Sequence, residues 1–87
     1  MTYQIQLPDE VWDQIHALPA EADEPLSEAM TLLTHEPWYG EPYHRANPHG
    51  ALRQLVYGYG DGLIVYLILE QQKRIVVERV LWLEDLG

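Results

Sequence analysis

One short stretch gathers side chains suited to chemistry at a phosphodiester: His44, Arg45, His49 and Arg53. Attack by a ribose 2′-hydroxyl needs a base for that hydroxyl, a cation for the phosphorane charge and an acid for the leaving oxygen. An imidazole ordinarily titrates near neutrality, so His44 and His49 can form an acid–base pair. Arg45 and Arg53 supply positive charge. The plainer reading is that His44 and His49, with Tyr43, decorate a proline-rich loop. A metal role is not expected. His35, His44 and His49 are spaced by nine and five residues, which matches no helix face and no zinc-finger pattern. The sequence has no cysteine, no glycine-rich phosphate loop and no Ser/His/Asp arrangement, so no cofactor is expected.

The aromatic residues offer a second kind of site. Base stacking normally comes with a cationic groove, and cations are few here. Trp12 and Tyr66 are read as core residues, and His16 as a helix-surface residue. Trp38, Tyr39 and Tyr43 form the set expected at the surface, where Trp and Tyr anchor protein interfaces. Arg79 joins that set. On a strict two-residue period it points with Ile75, Val77 and Leu81. An arginine in such a row snorkels to an edge or pairs with a carboxylate, or else belongs to a concave functional face.

Charge divides the chain. The net charge is −9, and residues 1–44 hold nine acids with no Lys or Arg. Residues 45–87 hold five acids and all five bases. Phosphate binding depends on clustered Lys and Arg, so the acidic half is a poor nucleic-acid surface, and DNA binding is not expected. That half reads either as a solvated helix surface or as a docking surface for a basic partner. The longest apolar run, Leu63 to Leu69, is seven residues, against the roughly 20 needed to span a bilayer. No basic segment with a following apolar run marks a secretory signal. A cytoplasmic location and no membrane contact are the expectations.

The elements that must position these residues follow from periodicity. Residues 2–7 alternate Tyr3, Ile5 and Leu7 with polar neighbours, as a half-buried strand does. Pro8 opens a helix over 8–18 with Asp9 and Glu10 in its first turn and Val11, Ile15 and Leu18 on one face. Pro19 ends it. A second helix over 24–35 carries Leu26, Ala29, Met30 and Leu33 on its apolar stripe, with Asp23 as N-cap. Residues 37–50 show no periodicity and read as a loop, a length that is often functional. Strands follow at 51–57, 63–69 and 74–83, joined by the hairpin links 58–62 and 70–73. The middle one is apolar on both faces, so it is central. The order β-α-α-β-β-β makes one 87-residue α+β domain.

In this arrangement the chain resembles the RelE/ParE superfamily of toxins from bacterial toxin–antitoxin pairs. The likeness covers nearly the whole chain. It rests on the opening strand TYQIQL, a helix closing in Leu18-Pro19, a second ending near Glu36-Pro37, and two motifs. Gly50-Ala51-Leu52-Arg53-Gln54-Leu55 resembles the family's "glyRl" strand. Gly60-Asp61 followed by Ile64-Val65-Tyr66 resembles its "G-d-y-R-v-v-Y" hairpin. The resemblance implies two N-terminal helices packed on a twisted, mostly antiparallel sheet, and a cognate antitoxin that wraps the toxin. It implies one of two activities, cleavage of messenger RNA on the ribosome or inhibition of gyrase. In the RNA-cutting case His44, Arg45, His49 and Arg53 are the candidate catalytic residues, and Trp38, Tyr39, Tyr43 and Arg79 the partner-binding ones. Two departures favour the alternative, a non-catalytic member kept as a protein-binding module. Leu63 stands where the family has an arginine. After the last strand, where RNA-cutting members carry a basic or histidine residue, this chain reads Trp82-Leu83-Glu84-Asp85-Leu86-Gly87.

Overall fold

The structure, a computed structural model, describes residues 2–83. It contains strand β1 (Gln4–Gln6), helices α1 (Asp9–His16) and α2 (Asp23–His35), and strands β2 (Glu41–Pro42), β3 (Leu52–Tyr57), β4 (Gly62–Leu69) and β5 (Arg74–Trp82). The sheet order is β1-β5-β4-β3-β2, with β1 parallel to β5 and every other pair antiparallel. The apolar strand β4 is therefore the central one.

Proline sets the start of the first helix, and a preceding turn that of the second. Pro8 lies just outside α1 in an extended conformation (φ −59°, ψ 160°) rather than in its first turn. Its carbonyl accepts from the Val11 and Trp12 amides at 2.9 and 3.0 Å. A 3-10 turn at Ala20–Ala22 runs directly into α2, so Asp23 is the first helical residue and not a side-chain cap. Val11 from α1, with Leu26, Ala29 and Leu33 from α2, packs on Leu55, Ile64, Tyr66, Ile68, Ile75 and Val77 of the sheet. Met30, expected on the stripe, is only half-buried at its margin.

Trp12 is not a core residue. It follows Val11 by one position, which turns it about 100° off the buried stripe. It is 45% exposed and its ring lies 5.8 Å from that of His16.

The largest departure concerns residues 37–50, which hold more structure than an irregular loop. They begin with a 3-10 turn at Pro37–Tyr39 and continue into β2, which pairs Glu41 with Gln54 and Pro42 with Arg53. Two side chains of the sheet, Tyr66 and Arg53, hold this path. The buried Tyr66 hydroxyl donates to the Pro37 carbonyl at 2.7 Å and accepts from the Gly40 amide at 3.2 Å. A Cβ at Gly40 would collide with that hydroxyl and with the Gln54 carbonyl, so glycine is required there. Burial pushes the Tyr66 phenol above its usual pKa, which keeps it a proton donor.

A polar clamp closes the opposite end of the β4–β5 hairpin. The Glu70 carboxylate accepts from Lys73 at 2.6 Å, from the Trp38 indole at 3.0 Å and from the Tyr3 hydroxyl. The Lys73 hydrogen bond, followed by those from Tyr3 and Trp38, lowers the Glu70 pKa from 4.5 to about 2. A depressed carboxyl stabilises the fold above its unfolded pKa and loses that contribution as pH falls through the folded one. Wild type and Glu70→Gln should therefore differ in Tm above pH 4.5, with the variant lower, and converge as pH approaches 2. Thermal melts across that range measure it. Parallel curves would remove the clamp from the stability account.

Candidate functional site

β5 does not alternate evenly. Val77 pairs with Tyr66 and Arg79 with Val65, so Glu78 is an extra residue in a β-bulge. The bulge reverses the side-chain parity downstream. Ile75 and Val77 face the helices before it, and Val80 and Trp82 face them after it. Arg79 is exposed on the other face with Leu81, and not in line with Ile75 and Val77 as even alternation requires. α1 supports this segment, because Gln14 Oε1 accepts the Val80 amide at 2.8 Å.

The sheet face away from the helices is mainly apolar. Leu52, Leu63, Val65, Leu67, Val76 and Leu81 share it by register. Among the described residues its strand cations are Arg74 and Arg79. A groove of about 420 Å³ opens there, floored by Leu52, Val65 and Leu67 and rimmed by Tyr43, Glu78 and Arg79.

The candidate catalytic residues separate in space. His44, Arg45 and His49 are exposed on two successive turns, closed by Asn47 N to His44 O at 2.9 Å and Gly50 N to Asn47 O at 3.0 Å. Neither imidazole is hydrogen-bonded among the described residues. The His44 ring meets edge-on, at 5.1 Å, that of Tyr43, which is itself a rim residue of the groove. Arg53 goes elsewhere. It lies on the helix-facing side of β3, 8% exposed, under the ring of Trp38 at 5.1 Å. Its Nε and Nη2 donate to the Gly40 carbonyl at 3.1 and 2.6 Å. Its Nη1 donates to Pro48 and Gly50 carbonyls, both at 3.3 Å. That guanidinium is engaged by backbone carbonyls and turned away from the groove.

The candidate partner-binding residues also divide. Tyr43 and Arg79 share the open-face groove. Trp38 is 42% exposed, but its indole is held by Glu70 and its face covers Arg53. Tyr39 is 66% exposed and lies at the β3 margin of the sheet. The groove floor was not singled out from sequence. The signal was present in Leu63, Val65 and Leu67, which alternate with the core residues of β4. The segment after β5, at 84–87, lies outside the described residues.

Replacing Arg53 leaves the buried Gly40 carbonyl and the half-buried Pro48 and Gly50 carbonyls short of a donor, and an unsatisfied buried acceptor costs about 1–3 kcal/mol. Arg53→Ala should destabilise the fold by roughly 3 kcal/mol. Arg53→Lys should recover little of this, since an ammonium cannot reproduce the planar fork. Denaturant titration separates the outcomes. Full rescue by lysine would mean that charge alone matters at this position.

No family model matches the sequence, and no curated protein matches it. Solved structures do match. One is an arginine-to-alanine double mutant of the E. coli toxin RelE in the free state. It has a TM-score of 0.76 and 15% identity, over 98% of this chain and 87% of that one. Another is the RelBE2 toxin–antitoxin complex from Mycobacterium tuberculosis, with a TM-score of 0.70 and 20% identity over 94% of this chain and 99% of that one. The fold is that of the RelE toxins.

Proposed function

We propose that this chain is a toxin-like component of a toxin–antitoxin pair, and that it acts by seating an antitoxin-like polypeptide on the open face of its sheet. The apolar groove floor carries this reading. Leu52, Val65 and Leu67 offer area that water solvates poorly, and the Glu78–Arg79 rim supplies charge for orientation. A surface built for RNA would present clustered cations instead. Here Leu63 occupies the position where the resemblance places an arginine. The M. tuberculosis structure of the same fold is of a complex with an antitoxin, which supports a protein partner. The cytoplasm is the proposed location.

The test is binding of the product of a short neighbouring reading frame, measured by calorimetry. Leu67→Lys and Arg79→Glu should each weaken it by at least roughly tenfold, as central interface changes do, with Tm preserved. Unchanged affinity in both variants would move the partner off this face.

One observation favours a second reading, ribosome-associated cleavage of messenger RNA. Tyr43, whose ring meets that of His44, borders the same groove as Arg79, which brings an imidazole and a guanidinium to either side of one tyrosine-rimmed cleft. Induction without a partner should then arrest growth and cut reporter messages, and His44→Ala or His49→Ala should relieve both. Normal growth with intact messages would leave the protein-binding role alone.

A further inference from the structure

α2 and the end of β3 leave a groove between them, with a volume of about 360 Å³. Small-ligand sites begin at about this size. Three tyrosines line it: Tyr39 from the 3-10 turn after α2, Tyr57 from the end of β3, and Tyr59 from the turn that leads into β4. Pro25, Glu28 and Leu32 form the helical wall, since steps of three and four residues keep them on one face of α2. No Lys or Arg lines the groove.

Tyr59 is the residue that the fold does not explain. Its backbone is left-handed, at φ 59° and ψ 33°, a region that a bulky side chain rarely enters. Gly58 and Gly60 beside it also have positive φ, at 63° and 97°, and glycine at the middle position would remove the strain. The Tyr59 ring gains nothing inside the protein to offset it. It is fully exposed and has no hydrogen bond or ring contact among the described residues. The Tyr39 hydroxyl and the Glu28 carboxylate across the groove are also without a partner among the described residues. Strained backbone of this kind clusters at ligand sites.

We propose that the α2–β3 groove binds a small organic cation of the alkylated-ammonium class. The faces of aromatic rings are negative and attract such cations, and Glu28 adds a full opposing charge. The net charge of −9, with no Lys or Arg in residues 1–44, favours a cation over an anion. A primary ammonium is the poorer fit, because it is strongly hydrated and needs a set of acceptors, and the groove has one carboxylate. A calcium-like ion is poorer still, since it takes roughly six to eight oxygen ligands. The site shares no lining residue with the open-face groove and stands independently of what binds there.

The probes are choline, its uncharged isostere with a tert-butyl group in place of the trimethylammonium, and the primary amine ethanolamine. Each is titrated at constant ionic strength into the isotope-labelled full chain. Choline should shift the amides of residues 28, 32, 39 and 57–59, and bind at least roughly fivefold tighter than either of the others. Glu28→Gln and Tyr59→Gly should each weaken choline at least roughly threefold. Tyr59→Gly should also raise the Tm, because glycine takes positive φ without strain. A purely structural role for Tyr59 would not combine weaker binding with greater stability. Equal binding of choline and its isostere would overturn the proposal, since the groove would then be only an apolar slot. Tighter binding of ethanolamine would overturn it in favour of a simple ion pair at Glu28. Shifts confined to residues 52, 65, 67 and 79, or no shift with any probe, would remove the cation from this groove.

Discussion

A buried guanidinium decides the shape of the functional half of this molecule. Arg53 projects from β3 toward the helices and is filled by carbonyls from Gly40, Pro48 and Gly50. A charged group in that position is tolerable only when its donors are met. Backbone therefore has to come to it, and residues 37–50 do so. The segment enters over Trp38, bends at Gly40 between Arg53 and Tyr66, pairs briefly as β2, and turns twice before β3. Because the chain is drawn in at Gly40, β2 cannot extend opposite Val56. The placing of Tyr39 at the α2–β3 groove and of Tyr43 at the rim of the open one follows from the same contact.

The Glu78 bulge is a comparable constraint on the opposite side. One extra residue reverses the facing of everything after it. Without it Arg79 would point into the packed helix layer, among the apolar residues of the core. With it, Val80 and Trp82 complete the core and Arg79 borders the open groove. The bulge thus preserves the core at the end of β5 and places an arginine that would be costly inside at the border of the open groove.

These two constraints separate the charges of the molecule by surface. The open face combines apolar residues with Arg74 and Arg79. The α2–β3 groove combines tyrosines with the Glu28 carboxylate. A polyanion is disfavoured at that groove, and the open face offers it too few cations to bind by phosphate neutralisation alone. The two surfaces suit different ligands, the open face a polypeptide with apolar residues central and the groove a compact organic cation.

Much of the fold was legible in the residues alone. Alternation in β1, the helical stripes on Val11 and Leu26, and the doubly apolar β4 each reflect local periodicity, which backbone geometry imposes wherever one face is buried. The division of charge was legible in the same way. The site was not. Arg53 reads as a candidate catalytic cation and Trp12 as core, because sequence records a residue's type and not which way its side chain must face. β2 has no periodicity to detect at two residues, and its existence rests on contacts with Arg53 and Tyr66 that are distant along the chain. Even alternation misplaces Arg79, since a bulge leaves no local mark when its extra residue is an ordinary glutamate. Sequence by itself determined every element except β2, the order of those elements and an acidic half unsuited to phosphate. Tertiary structure alone decided which cations remain free, because that depends on the long-range packing that buries one arginine and exposes another.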